Sequence, residues 1–285
     1  MVYFIVTSDS GSGSNDQYKV ARSMEKLSDL FNINSVLLLG DNIYEEGVTS
    51  LHDHQFKTKF EYPYQNINKL FYLCLGNHDY GNSLSLKKNA KFQIEYSKFS
   101  PKWNLNDQYY SVKKGPCEFF FIDTNFDFMN DTEIMKQLDF ISGKIKQSNK
   151  KWKILCGHHP WRSVGGHGNA TIRLELFFNE LIKRKGVSID LYMCGHDHCK
   201  NLILKNHPTK KNKKIPLVVI GTGGKKYHGG DNGRPHLHNM YKNDSELLFH
   251  SPNLGTCLID ATPKKLKLNF YDELLQEEFN YTVQK

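Results

Sequence analysis

The chain has 285 residues, of which 39% are hydrophobic and 13% aromatic, enough to build a substantial buried core. No apolar run approaches the ~20 residues needed to cross a bilayer, which argues against a membrane role. A net charge of +8 comes from lysines grouped at 150–153, 210–214 and 225–226. They are not interleaved with aromatics on one face, so they suit a field that draws in anionic, phosphorylated molecules better than specific nucleic-acid binding.

In chain order, the first predicted strand is Val2–Thr7, which runs into Ser8-Asp9-Ser10-Gly11. It is too short for a signal segment and no basic stretch precedes it. The chain is therefore expected to stay in the compartment where it is made, the cytoplasm, unless a leader has been removed. Gly11-Ser12-Gly13 hints at a phosphate loop, but Asp16 replaces the third glycine, so a plain strand-to-helix turn is expected. Val20, Met24, Leu27 and Phe31 share one face of a helix. Strand Val36–Leu39 then leads into Gly40-Asp41-Asn42-Ile43-Tyr44, and Leu70–Leu75 into Gly76-Asn77-His78-Asp79.

Strand Glu118–Ile122 is followed by a helix with Ile134, Leu138, Ile141 and Ile145 on one side. Trp152–Cys156 leads into Gly157-His158-His159-Pro160. A third helical stripe is formed by Ile172, Leu176, Phe177 and Leu181. Leu191–Cys194 leads into Gly195-His196-Asp197-His198. The last strands, Leu217–Ile220, Cys257–Ile259 and Leu266–Phe270, come close together and are read as antiparallel. Between the first two of these, Gly221–Lys226 is expected to be a turn at a cleft rim and Tyr227–His238 a loop or lid. No linker or repeat interrupts the chain, so residues 1–285 are expected to form one domain. The six cysteines lie mostly inside apolar runs and read as buried free thiols.

Five strand-like runs thus end in residues that bind metals. Asp9 and Asp41 offer carboxylates, Asn77 an amide oxygen, and His158, His196 and His198 imidazole nitrogens. Any one of them could cap a helix or close a turn. As a set they have no such explanation, and oxygen and nitrogen donors in this number suit two hard or borderline cations, a combination that cleaves phosphate esters. A carboxylate such as Asp41 can bridge two ions. In an extended segment His196 and His198 would turn toward different ones. Many two-metal phosphoesterases open with Asp-x-His, yet Gly11 stands at that histidine position. Tyr44 could supply the missing ligand as a phenolate, which, with a phenol's ordinary pKa near ~10, requires a strong Lewis acid such as iron(III).

Taken together, Asp9, Gly40-Asp41-x-x-Tyr44, Gly76-Asn77-His78-Asp79, Gly157-His158 and Gly195-His196-x-His198 resemble the purple acid phosphatases. The nearest likeness is to the small mammalian-type, tartrate-resistant members, over nearly the whole chain. The resemblance implies an α/β fold, a metallophosphoesterase-type β-sandwich of two mixed sheets flanked by helices, with the active site at the carboxyl ends of the strands. It implies iron(III) on Asp9, Tyr44 and His198, and a divalent ion (iron(II), zinc or manganese) on Asn77, His158 and His196, with Asp41 shared. His78 and His167 would lie near the phosphate and leaving group, and Asp79 would orient His78. The short segment Asp123–Glu133 lacks the clipped loop that represses some mammalian-type members, so no activation by cleavage is expected.

The implied activity is an acid phosphatase that hydrolyses phosphate monoesters by direct attack of a metal-bound hydroxide, with no phosphoenzyme. Its partners would be small phosphorylated substrates, nucleotides or phosphoproteins among them, and the protein is expected to be a monomer. Alternatives on the same fold are a phosphodiesterase, a Ser/Thr protein phosphatase or a metal-free binding or scaffold protein. The arginine-containing Gly-Asp-x-Val-Asp-Arg-Gly motif of protein phosphatases is absent from the sequence.

Overall fold

The computed structural model describes residues 1–81, 88–226 and 243–285, and within them two seven-stranded sheets face each other. The first has the order β14 (Glu277–Gln284), β13 (Lys265–Asp272), β12 (Gly255–Ala261), β1 (Val2–Thr7), β2 (Ile33–Leu39), β3 (Leu70–Cys74) and β4 (Trp103–Asn104). The second runs β11 (Ser245–Ser251), β9 (Lys200–Asn206), β10 (Lys214–Ile220), β8 (Leu191–Cys194), β7 (Trp152–Cys156), β6 (Cys117–Phe121) and β5 (Tyr110–Lys114). Phe4 of β1 meets Phe119 of β6 edge to face at 4.8 Å, and one core cluster draws side chains from both sheets.

Helix α1 (Asn15–Leu30) adds Val20, Met24 and Leu27 to that core. Helices α4 (Asp131–Gln147) and α5 (Ile172–Lys183) cover the outer face of the second sheet through a second cluster, which includes Ile141, Phe178 and Leu181. Each such aliphatic side chain, fully buried, contributes ~1.5–3 kcal/mol. The start of α4 is set by a reciprocal cap: Asn130 accepts from the Glu133 amide while Glu133 accepts from the Asn130 amide.

β1, β2 and β3 are parallel, as are β6, β7, β8 and β10. Parallel strands bring their carboxyl ends to one rim, the place where ligands gather in such sheets. All five motifs sit there. The expected antiparallel trio needs correction. β12 and β13 do pair antiparallel, but Leu217–Ile220 belongs to β10 in the other sheet, parallel to β8. Proximity in sequence misled because the segment between β10 and β12 crosses from one sheet to the other. The α5 stripe is also rotated. Ile172 and Leu176 are exposed, while Leu174 and Phe178 join Phe177 and Leu181 in the core. The Tyr227–His238 stretch lies outside the described residues. All six cysteines are buried and free.

Candidate metal centre

The site is built from backbone that L-residues adopt reluctantly. Asp9, Asp41 and His196 have φ of 57°, 50° and 68°, in the left-handed region, where a non-glycine residue persists only if its surroundings hold it. The loops that carry them are locked together: the Gly11 amide donates to the Asp41 carbonyl (3.1 Å) and the Tyr44 amide to the Gly11 carbonyl (3.0 Å). A Cβ at Gly11 would stand 1.9 Å from the Asn42 carbonyl oxygen. No histidine fits at this position, which explains physically why the Asp-x-His pattern is broken here.

Six of the seven predicted ligands fall into two groups of three. In one, the Tyr44 hydroxyl donates to Asp9 Oδ1 (2.9 Å) and lies 3.2 Å from His198 Nε2, which is itself 3.4 Å from Asp9 Oδ1. In the other, Asn77 Oδ1 lies 3.1 Å from His158 Nε2 and 3.0 Å from His196 Nδ1. His196 and His198 do turn toward different groups. Asp41 lies between them, with Oδ1 at 3.4 Å from His158 Nε2 and its charge acting on the Tyr44 phenol. Ligand atoms of Asp9, Asp41 and His158 all lie within 4.8 Å of one another. His158 Nδ1 donates to the Leu39 carbonyl (2.9 Å), which leaves Nε2 facing the centre.

Electrostatics show what the donor set requires. Burial, then the charges of Asp41 and Asp9, push the Tyr44 phenol well above its ordinary range. Burial alone would raise Asp9, but its hydrogen bond to His198 and the neighbouring histidines hold it well below the usual carboxylate range. Burial opposes protonation of His158, yet the Asp41 carboxylate brings it up to about 10. Burial and three neighbouring imidazoles keep His196 neutral. Two buried carboxylates, a phenol and convergent imidazole nitrogens thus form a pocket of negative charge that protons only partly satisfy. The chemistry of this donor set suits bound cations.

The remaining predicted residues surround this centre. His78 packs its ring on Tyr44 at 4.5 Å, with Nδ1 held by the Glu45 carbonyl (2.6 Å). His167 packs on His196 at 4.2 Å. The role expected for Asp79 needs correction. Its carboxylate accepts from the amides of Gly76, Asn42 and Ile43 and from the side chains of Asn42 and Gln93, so it fastens the Asp41 loop and not the His78 ring. Adjacent side chains cannot meet across a single turn of the short helix α2 (Asn77–Tyr80).

Three further residues had no role assigned from the sequence. Asp197 is buried and accepts from the His167 and Gly168 amides (2.7 and 3.3 Å), positioning the His167 loop. His159 bonds Thr124 at 2.7 Å and is pushed down to about 3 by burial and by His158, so it lines the cleft as a neutral ring. Lys225 lies 4.2 Å over the Tyr44 ring and pairs with Glu45 at 2.6 Å. Its signals in the sequence were the Gly-rich turn before it and the lysine pair at 225–226.

The calcineurin-like phosphoesterase family model matches residues 2–200. Purple acid phosphatase 17 of Arabidopsis thaliana is 30% identical over 292 residues, covering 95% of this chain and 81% of that protein. The chain belongs to the purple acid phosphatases. As a member of this family it is a metal-dependent phosphoesterase. Two solved structures share the fold. One is the purple acid phosphatase PPD1 of yellow lupin seeds (TM-score 0.72, 18% identity, covering 99% of this chain and 53% of that one). The other is GAP50, titled the anchor in the inner membrane complex of Plasmodium (TM-score 0.76, 19% identity, 99% and 88%).

Proposed function

We propose that this purple acid phosphatase hydrolyses phosphate monoesters at a dinuclear centre. Asp9, Tyr44 and His198 would hold iron(III), Asn77, His158 and His196 would hold a divalent ion, and Asp41 would be shared. The observation that carries this reading is the division of the donors into two groups of three that meet at Asp41. Cations so placed neutralise phosphate charge and lower the pKa of a bound water.

The chain's own residues do the rest. The ester P–O bond breaks, water oxygen forms the new one, and the leaving oxygen takes up a proton. His167, packed against His196, and His78, packed against Tyr44, stand on either group and offer that proton or a hydrogen bond to the phosphate. Asp197 and Glu45 fix the two histidine-bearing segments. The likeness to GAP50 raises a second reading, an anchor without catalysis, against which the complete donor set stands.

Turnover of p-nitrophenyl phosphate and its bis-ester, with and without chelator, tests the proposal. Chelator-sensitive hydrolysis of the monoester is expected, with the diester slower. Preference for the diester would make it a phosphodiesterase, and hydrolysis of neither would leave the anchor reading. The loaded protein should also be purple or pink. Iron without colour would remove Tyr44 from the ligands.

A further inference from the structure

Beside the Asn77, His158 and His196 group lies a cleft of about 190 Å³, lined by His167 and His196 together with Phe126, Phe128, Ala170 and Leu174. Its aromatic walls are supported from behind, since Phe128 stacks on Tyr80 at 4.7 Å and Phe126 meets Phe177 at 5.2 Å. An apolar cavity of about 150 Å³ accepts a benzene ring, so this one has room for a single ring and a short substituent.

Two polar side chains stand on the same walls. Asn125 is buried, and its amide donates to the Leu75 carbonyl (3.2 Å) and to Asp123 Oδ1 (2.8 Å). Both partners can only accept, which fixes the amide's orientation. Its Oδ1 is buried and has no hydrogen-bond partner among the described residues. That atom is closed to solvent, so a molecule in the cleft does not reach it. The exposed Asp127 adds a carboxylate. Among the described residues no lysine or arginine lines the cleft. Lys59 and Lys225 gather instead around the Tyr44–Glu45 segment.

We propose that this cleft receives the leaving group of the ester, and that the substrates are monoesters of compact aromatic alcohols, neutral or cationic, carrying a hydrogen-bond donor. The inference rests on the phosphatase reading of the adjoining centre and adds its selectivity. A ring that follows the bridging oxygen away from the phosphate passes His167 and His196 and lies between Phe126, Phe128 and Leu174, with its donor directed to Asp127. A second phosphate would meet Asp127 and, among the described residues, find no lysine or arginine there, so polyphosphate tails are disfavoured.

Calorimetric titration of the metal-loaded protein tests this without turnover, using inorganic phosphate, phenylphosphonate, 4-(aminomethyl)phenylphosphonate and 4-carboxyphenylphosphonate. The phenyl group should improve affinity over phosphate at least about tenfold, and the aminomethyl compound should exceed the carboxy compound about fivefold or more. Ala170→Phe, which fills the cleft, should erase the phenyl gain while phosphate binds as before. Asp127→Lys should reverse the charge preference. A wild-type protein that binds phenylphosphonate no better than phosphate, or preferences untouched by both variants, would overturn the proposal. Failure of the same loaded sample to hydrolyse p-nitrophenyl phosphate is the separate result that would remove the phosphatase reading itself.

Discussion

The two halves of the centre are made differently. The Asp9, Tyr44 and His198 half carries a carboxylate and a phenol, both buried, with Lys225 over the tyrosine ring. The Asn77, His158 and His196 half carries a neutral amide and two imidazoles, and opens on the cleft. Oxygen-rich, anionic donors favour a hard ion of high charge, while imidazole and amide donors suit a borderline divalent one. Where Gly11 leaves no side-chain donor, a phenol 33 residues later stands beside Asp9 and His198, and a site with Tyr44 as ligand would prefer an ion of higher charge.

The largest effect should come from Asp41→Ala, which removes the group common to both halves. Activity should fall by at least ~10³-fold, and metal analysis should show both ions depleted. Retention of both would show that the halves are independent. Tyr44→Phe should act on one half alone, abolishing the visible absorption and lowering iron content while the divalent ion stays. Loss of the two ions together would break the distinction. Asp79→Ala, which loosens the Asp41 loop, should weaken metal binding by roughly 10–100-fold and be read by competition with a chelator.

Smaller effects follow from protonation. In the metal-free fold the Tyr44 phenol is held above its ordinary range and His158 is at about 10, so both bear protons at pH 5–8 that a cation must displace. Metal affinity should therefore rise with pH, about tenfold per unit for each proton released, which a pH-stat titration would count. The smallest effect lies away from the centre. Asp244 pairs with Arg162 (2.8 Å) and Lys205 (2.6 Å). Burial opposes its ionisation, but those cations lower its carboxyl to about 2. A depressed carboxyl stabilises above its unfolded value near 3.8 and stops doing so as pH falls toward 2. Thermal unfolding of Asp244→Asn should differ from the parent at pH 6 and converge with it between pH 4 and pH 2.

Much of the fold could be read because its central strands are short, uninterrupted apolar runs, such as Leu191–Cys194, each ending abruptly in polar residues. β11 and β14 escaped because edge strands are half-exposed and alternate weakly, and β9 because Lys200 and Lys205 break its apolar run while lying buried against Glu278 and Asp244. Tyr44 was legible as a candidate donor because a gap at Gly11 called for one, and it does stand beside Asp9 and His198. Lys225 and Asp197 were not, since their contacts join segments up to 181 residues apart in sequence.

The sequence by itself determined which donor types exist and that each follows a buried strand, because apolar periodicity and ligand chemistry are local properties. Only the tertiary structure decided how they divide into two groups around Asp41, that Asp79 fastens a loop, and that an aromatic cleft opens on one side. Those are distances between segments that meet only when parallel strands align their ends, and no local pattern encodes them.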